Sequence, residues 1–403
     1  MCRVYLRVSC TIILSYGIYL LIWDLVKPQP TPLFHPPSPR PARRLPLVAL
    51  GIMMGVVLTA CTPPSVQEKL PAAMGNATPV SSPAVVDEPA GEVISLPEQL
   101  AKVTELDHIG EIVAVRAGAV VGVGTVDQLR AGRLVTVPVD AACGGISAAP
   151  ASNEFVLGCP DGVYGIPTSI ADAAGGAGDA AGEESDGGET AELPTANPVL
   201  LQATDQPVTA AVKTTSGMIF AGSSDREDVD VYQDGEKTTI RVEDPTDAMI
   251  AVPVSGGEDS VYRINRRTTI IQNINLANKS AGAVLRVGLG VGPITPGAEG
   301  MALATDTIGK QFGVYLTHDV IRLHQTTPTT GAPWAIAWDD KRQQVWVATT
   351  DDNKIRRYQL GSGQGEELEA YNSIENTQSL VALPNGMILA ASTTGTDVQA
   401  ITP

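Results

Sequence analysis

Two cysteines in the middle of the chain are spaced for a disulfide. Cys143 and Cys159 flank GGISAAPASNEFVLG, in which residues 149–153 have the composition of a turn. An antiparallel hairpin about residue 151 would place the cysteines on facing strands, where Cβ atoms lie about 4.5 to 5.5 Å apart and thiols can be oxidised after slight adjustment. The alternative is a pair of unpaired, buried thiols. The compartment decides between them, because disulfides persist outside the reducing cytoplasm.

A third cysteine, Cys61, follows an export signal. Residues 40–60 begin with a cluster of three arginines and continue as an uncharged apolar stretch over residues 45–60, which is the order of a signal peptide. The stretch has about 16 residues, fewer than the roughly 20 that a membrane-spanning helix needs. Its last three residues and Cys61, LTAC, resemble the lipobox of bacterial membrane lipoproteins.

This resemblance implies that the chain is cut before Cys61 and that Cys61 receives a diacylglyceryl thioether and further acyl chains such as palmitate. Several acyl chains on one residue form a durable membrane anchor. We therefore expect the remaining chain on the extracytoplasmic face of the cell membrane, where oxidation of Cys143 and Cys159 is favoured. The alternative, an uncleaved anchor helix ending in a free cysteine, also places the rest of the chain outside.

Residues 1–39 are interpreted as an extended N-terminus. They contain a second apolar run, residues 11–23, followed by a Pro-rich linker. Two membrane spans would leave Arg3 and Arg7 in an external tail, against the positive-inside rule. We therefore favour a start codon assigned too early, with the true start near Leu33, over a genuine first membrane segment.

The charge of the chain argues against nucleic acids and anionic lipid headgroups as partners. Six of the 27 Lys and Arg residues and one of the 44 Asp and Glu residues precede Cys61, so the mature chain has a formal charge of −22. Nucleic acids and anionic lipid headgroups would be repelled at low ionic strength. The expected partners are the membrane, reached through the N-terminal lipid, and a protein of the cell envelope, with no nucleic acid.

Other side chains suggest no catalytic or metal site. The mature chain has three histidines, none at metal-ligand spacing from another histidine or a cysteine, and these are His108, His318 and His324. The acidic run of residues 225–236 lacks the spacing of a calcium loop and predicts a solvated edge. Three tryptophans, most simply interpreted as packing residues with a ligand platform as the alternative, are Trp334, Trp338 and Trp346. We expect no metal and no cofactor.

Two segments have too few large apolar side chains to pack a core. Residues 61–91 are rich in Pro, Ala and Ser, and we predict a lipidated, flexible stalk. Residues 171–192 are acidic and rich in Gly and Ala, and they predict a solvated, disordered insert within the following domain. The domain itself is expected to span residues 92–403.

This domain repeats one unit, a small apolar strand, a polar turn and a second strand. The clearest copies begin at Val345, Met218 and Met387, and looser copies marked by Val120, Phe155, Val261 and Phe312 bring the markers to seven. Consecutive markers are 35, 63, 43, 51, 33 and 42 residues apart, and the step of 63 contains the acidic insert. A period near 40 to 45 residues with about four strands predicts an all-β fold, a β-propeller. Seven blades are expected, with six or eight as alternatives; an open β-sandwich array or two smaller β domains is the other architecture considered.

Two further features agree with a closed ring. Short strands rich in small residues precede the markers and are expected to line the axis, and these are residues 209–212, 249–252, 301–304, 334–337 and 380–383. The last blade is too short for four strands, so residues 92–106 are expected to supply its outer strand. The blade around Val345 resembles the YVTN-type repeats of bacterial surface propellers over about 30 residues, which implies fold more than activity.

The predicted function is binding. We expect a scaffold or an accessory subunit of an envelope complex with no catalysis of its own. The alternatives are a lactonase-like or quinoprotein-like propeller enzyme and a protein that binds a small ligand or glycan in the central funnel. Carboxylates meeting a histidine at the mouth of the axis would favour the enzyme, whereas a plain channel lined by alanines would favour the scaffold.

Overall fold

The computed structural model describes residues 74–174, 193–317 and 320–403. The predicted signal peptide, Cys61 and most of the acidic insert lie outside these ranges, so the predictions for them stay predictions. Across the three described ranges, no helix is both long enough and apolar enough to cross a membrane.

The described chain forms seven antiparallel sheets of four strands each, in sequence order around a ring. Blades 1 to 3, each given from its innermost strand outward, comprise β2 (Glu105–Ile109), β3 (Ile112–Ala117), β4 (Val120–Thr125) and β5 (Val135–Pro138); β6 (Ile146–Ala149), β7 (Glu154–Cys159), β8 (Gly162–Pro167) and β9 (Val199–Ala203); β10 (Ala210–Lys213), β11 (Ile219–Gly222), β12 (Asp228–Gln233) and β13 (Glu236–Arg241). Blades 4 and 5 comprise β14 (Ala248–Val252), β15 (Ser260–Asn265), β16 (Ile270–Asn275) and β17 (Ser280–Arg286); β18 (Val291–Pro296), β19 (Met301–Asp306), β20 (Gln311–Thr317) and β21 (Ile321–Pro328). Blades 6 and 7 comprise β22 (Pro333–Asp339), β23 (Gln344–Thr349), β24 (Lys354–Gln359) and β25 (Glu366–Asn372); β26 (Thr377–Ala382), β27 (Ile388–Ser392), β28 (Asp397–Ile401) and β1 (Glu92–Ser95).

Helices are short and lie in connections between strands. One α-helix, α1 (Val126–Arg130), starts with a capping box in which Thr125 and Gln128 exchange hydrogen bonds. Within the described ranges, the 3-10 helices are Glu98–Leu100, Pro150–Ser152 and Thr168–Ala174.

The hydrophobic core lies between the blades. Seven apolar clusters are present, and each joins two neighbouring blades, for example Trp346 of blade 6 with Ile388 of blade 7. Side chains alternate along each strand, so Phe155 packs towards blade 1 and Val156 packs towards blade 3. Because a blade buries its apolar surface only against its neighbours, the ring has to close. The structure is a seven-bladed β-propeller, as the repeat predicted.

The ring closes by an exchange between the chain ends. Strand β1 pairs antiparallel with β28, with Val93 opposite Gln399 and Ile94 opposite Val398. The innermost strands β26 and β2 are also in contact, which joins blade 7 to blade 1. The prediction that residues 92–106 contain the missing outer strand is therefore confirmed for β1.

Two blades are offset by one strand from the sequence prediction. The markers Val120 and Phe312 lie in third strands rather than second strands, and residues 301–304 form β19, the second strand of blade 5, rather than an axial strand. The true axial strand of blade 5 is β18, which contains Pro293. An axial strand has one free edge, so the missing N–H of a proline there breaks no ladder.

Residues 74–91 cross one face of the ring, and we call them the strap. The strap differs from the flexible stalk predicted for this part of the chain, because the ring holds its backbone. We call the face on which the innermost strands begin the upper face. Along it, hydrogen bonds join the strap to blades 4, 6 and 7 and to the connection between blades 4 and 5, and among these are Asn76 N to Arg266 O, Gly75 N to Leu289 O, Ser82 Oγ to Thr350 O, Asn353 Nδ2 to Pro83 O, Asn372 Nδ2 to Glu88 O and Gln399 Nε2 to Ala90 O.

Candidate functional site

A funnel of about 610 Å³ opens at the upper face around the axis. Its wall is made from the beginnings of the innermost strands and from turns between second and third strands, so every blade contributes to it. Alanines cover much of the wall, namely Ala148, Ala210, Ala211, Ala248 and Ala335. The volume is in the range of pockets that hold small organic ligands. Charged side chains lie in two places, on the wall formed by blades 1 and 2 and beneath the strap on blade 4.

Two carboxylates connect blade 1 to blade 2. Glu105 and Asp107 alternate along β2 and therefore point to the same side, towards β6. Glu105 Oε2 accepts a hydrogen bond from Ile146 N at 2.7 Å, and Asp107 Oδ2 accepts one from Ala148 N at 2.7 Å. These carboxylates satisfy main-chain donors of the free edge of β6, which otherwise has no partner on that side. They therefore have a structural role in joining the two blades.

Burial in the funnel wall changes the protonation of both groups. Desolvation raises the pKa of Glu105 to about 7, although the Ile146 hydrogen bond and the charges of Arg116 and Arg266 oppose the change. Desolvation also raises the pKa of Asp107, against the charge of His108 and two backbone hydrogen bonds. The funnel thus holds a carboxyl group that titrates close to neutral pH.

We expect Glu105→Gln to flatten the pH dependence of stability. The folded protein keeps the Glu105 proton until about pH 7, whereas the unfolded chain loses it near 4.5, so folding takes up a proton in this interval and stability falls as the pH rises. This pKa shift corresponds to a change of at most about 3 kcal/mol in the free energy of unfolding. Water that enters the funnel screens the carboxylate, and we therefore expect a change of about 2 kcal/mol. Above pH 7 the variant should be more stable than the wild type by this amount, and below pH 4.5 the two proteins should be equally stable.

Urea unfolding between pH 4 and 9 measures this effect. Glu98→Gln is the matched control, because Glu98 is exposed and its side chain has no hydrogen-bond partner in the described chain. Parallel stability curves for wild type and Glu105→Gln would show that folding leaves the pKa of Glu105 unchanged.

Arg116 holds the loop that contains the first disulfide cysteine. It is 5% exposed and donates from Nη2 to Cys143 O at 2.9 Å and from Nη1 to Gly144 O. The structure joins Cys143 and Cys159 in a disulfide across the start of the β6–β7 hairpin. That hairpin turns at Pro150–Ser152, and its register is centred half a residue from the predicted position, with Ile146 opposite Leu157. The loop beside the funnel mouth is thereby fixed from two sides.

Blade 4 contributes a second arginine, Arg266, in the turn between β15 and β16. Its backbone N donates to Asp247 Oδ2 at 2.5 Å, and its carbonyl accepts from Asn76 of the strap. The side chain lines the funnel, and its Nε is buried without a hydrogen-bond acceptor within the described ranges. Arg266 is thus fixed through its backbone while its guanidinium borders the cavity.

The structure does not bring the remaining candidate residues together. In the described parts of the chain, no group of three or more His, Cys, Asp or Glu side chains could hold a metal ion. His108 bonds Gly110 O on blade 1, His324 is exposed on blade 5, and His318 lies outside the described residues. No described histidine lines the funnel.

The tryptophans of blade 6 divide between packing and the funnel. Trp346 is fully buried between blades 6 and 7, and Trp338 is partly buried against blade 5. Trp334 lines the funnel, which is the position that a ligand-stacking side chain would need. Packing is therefore confirmed for Trp346 and Trp338, and a ligand platform stays a prediction for Trp334.

The acidic run of residues 225–236 was expected to be a solvated edge, and this is wrong at its centre. Asp230 is 1% exposed and forms ion pairs with Arg226 and Lys237, and it accepts from Thr239 Oγ1 at 2.6 Å. These partners hold the pKa of Asp230 below its usual value despite the opposing effect of burial. The charge of Asp230 is therefore balanced by cationic side chains of the same blade.

Sequence reasoning did not identify Glu105, Asp107, Arg116 or Arg266 as funnel residues. They come from two blades about 150 residues apart, and only the closed ring brings them to one cavity. One signal was present, since charged residues alternate in ELDHI, where the other axial strands have small apolar residues.

Comparisons with known proteins identify the fold alone. No protein-family model matches the sequence, and no curated protein matches it. The WD40 β-propeller domain of Doa1 is similar, with a TM-score of 0.54 and 12% identity over 78% of this chain and 96% of that chain. Hydrazine synthase of Kuenenia stuttgartiensis has a TM-score of 0.55 and 10% identity over 76% and 97% of the two chains. Virginiamycin B lyase from Staphylococcus aureus has a TM-score of 0.54 and 14% identity over 78% and 100%. These neighbours include a WD40 domain and enzymes, so the shared propeller leaves the activity open.

Proposed function

We propose that this chain is a lipid-anchored, extracytoplasmic β-propeller that acts by binding, as a scaffold or accessory subunit in the cell envelope. The anchor would be the acylated Cys61. The upper face, with the funnel at its centre, would be the binding surface. No catalytic step is assigned to the chain.

One observation carries the binding role, namely how the funnel carboxylates are used. Glu105, Asp107 and Asp247 each accept a main-chain N–H, from Ile146, Ala148 and Arg266 respectively. A general base has to present its oxygen to a substrate, whereas these oxygens fix strands and turns. The described funnel is therefore a rigid, preorganised cavity, which suits recognition.

The strap supports an orientation for the anchored protein. Twelve residues lie between Cys61 and Met74, and the thirteen steps from one residue to the next can span at most about 45 Å. The strap then runs along the upper face, so a lipid on Cys61 would hold this face on the membrane side. Exposed apolar side chains are frequent in the strap, and these are Met74, Val80, Val85 and Val86. A partner embedded in the same membrane would meet this face first.

Replacing Cys61 with serine tests the anchor. Serine has no thiol to accept the diacylglyceryl group, so we expect the protein to leave the membrane fraction almost completely. The measurement is fractionation of cells followed by detergent phase partitioning. Cys2→Ser is the matched control, because cleavage before Cys61 would remove Cys2. Retention of Cys61→Ser in the membrane fraction would contradict lipidation.

Capture of the native lipoprotein from detergent-solubilised membranes tests the scaffold role. We expect a stoichiometric protein partner, and substitutions on the upper face, such as Val86→Asp, should weaken its recovery. Ser216→Asp in the β10–β11 turn of the opposite face is the control. Failure to recover any stable partner would contradict the scaffold.

A propeller enzyme is the second candidate, and a single observation favours it. Glu105, with its pKa near 7, shares the funnel with Arg266 and Trp334. A carboxyl group of this kind can act as an acid or a base at neutral pH. If the chain were such an enzyme, Glu105→Gln would abolish turnover while leaving binding of the substrate intact.

A further inference from the structure

The charged groups that line the funnel differ in how far the protein satisfies them. Its three carboxylates, on Glu105, Asp107 and Asp247, all accept backbone N–H groups. The Arg116 guanidinium donates to two carbonyls. The guanidinium of Arg266 has neither an acceptor nor an ion-pair partner in the described chain, and its Nε is buried. A ligand that enters the funnel therefore finds the acids occupied and one cation available.

A buried Nε without an acceptor also occurs at Arg263 and Arg356, but both of these guanidinium groups have other partners. Arg263 donates to Asp244 O, and Arg356 forms ion pairs with Asp352 and Glu367. Arg266 differs from them because no nitrogen of its guanidinium has a partner among the described residues. A charged donor that is buried without a hydrogen-bond partner costs free energy, and a bound ligand that accepts from it offsets this cost. The cost at Arg266 points to a ligand that supplies oxygen acceptors.

We propose that the funnel binds a small organic anion, with a carboxylate or phosphate group on the guanidinium of Arg266. A planar guanidinium donates two parallel hydrogen bonds to such a group. The cavity of about 610 Å³ has room for the rest of the ligand, and Trp334, Thr209 and Thr393 line it as well. The inference rests on the proposed binding role and names its ligand class.

The local charge is compatible with an anion. Glu105, Asp107 and Asp247 face Arg116 and Arg266 in the wall, a formal excess of one negative charge. Because desolvation raises the pKa of Glu105 to about 7 and that of Asp107 above its usual value, protons offset this excess below neutral pH. A protonated Glu105 also gains a donor that an oxyanion can accept.

Titration of the full-length lipoprotein in detergent at pH 6 with citrate and with inorganic phosphate tests the proposal. We expect one of these anions to raise the unfolding midpoint by about 2 °C or more beyond sodium chloride of equal ionic strength. In calorimetric titrations, Arg266→Gln should weaken that anion at least about tenfold, and Arg266→Lys, which keeps the charge, should weaken it less.

Arg267→Gln is the control, because Arg267 is next in the same turn but is 64% exposed and pairs with Asp244. It should bind the anion as the wild type does. No shift with either anion would overturn the proposal, and so would equal binding by Arg266→Gln and wild type. If Arg266→Gln does not fold, retained binding by Arg266→Lys at wild-type strength would overturn it. The test uses protein in solution, so a failed membrane anchor would show in the Cys61→Ser fractionation and not here.

Discussion

Ile94→Asp is expected to lower the free energy of unfolding by about 4 kcal/mol. Ile94 is 5% exposed and packs in the cluster between blades 7 and 1, to which no cationic side chain belongs. The substitution removes a buried aliphatic side chain and places an unpaired carboxylate in its position, and both changes destabilise the fold. The effect acts on ring closure, because among the described strands β1 alone pairs with the outer edge of β28.

Val93→Asp is a matched control on the same strand. Val93 is 43% exposed and faces the other side of β1, opposite Gln399. The same substitution there should cost less than about 1 kcal/mol, mainly through the poor β propensity of aspartate. Urea unfolding of the two variants and the wild type gives the comparison. Similar small losses of stability for both variants would mean that blade 7 stays in the ring without the packing of Ile94 against blades 7 and 1.

The repeat in the sequence was sufficient to predict the architecture. Copies that begin at Val345, Met218 and Met387 are second strands, as their aligned pattern indicated. The repeat period and the composition reveal such strands because equivalent side chains pack against equivalent neighbours in every blade. The closing strand was predictable for a related reason, since a blade that lacks a strand leaves an unpaired edge.

The two misassigned blades show where pattern reasoning failed. In β2 the alternating positions hold Glu105 and Asp107, which bond the next blade, and in β18 Pro293 occupies an edge that needs no donor. Both strands lack the small apolar residues by which the other axial strands were recognised. The strap was missed because its order comes from side chains such as Asn353 and Asn372, far away in sequence.

The candidate site could not be predicted in the same way. Arg116 and Arg266 were unremarkable as residues of a sequence, and their common cavity exists only after seven blades close. Even the raised pKa of Glu105 depends on desolvation by neighbouring blades. The cysteine pair was predictable because a hairpin is local, and its turn at Pro150–Ser152 is encoded within the same segment.

Replacing both Cys143 and Cys159 with serine is expected to lower the free energy of unfolding by about 3 kcal/mol. The bond closes a loop with a sequence separation of 16, and its main effect is to restrict the unfolded chain. Serine is close in size to cysteine and leaves no free thiol. Urea unfolding measures the loss, and a reducing agent should bring the wild type to the stability of the double variant while leaving that variant unchanged.

The same variant separates the disulfide from the function of the loop it closes. Arg116 holds Cys143 O and Gly144 O through the folded structure, independently of the covalent bond. At Gly144 the Cβ of any larger residue would overlap Thr209 O, so close packing of the backbone fixes this loop as well. We therefore expect the double variant to bind the funnel ligand as the wild type does, at temperatures where both are folded. Equal stability of variant and wild type, purified without reductant, would mean that the thiols are not bonded in the cell. Weakened binding in a folded variant would mean that Arg116 cannot hold the loop without the covalent bond.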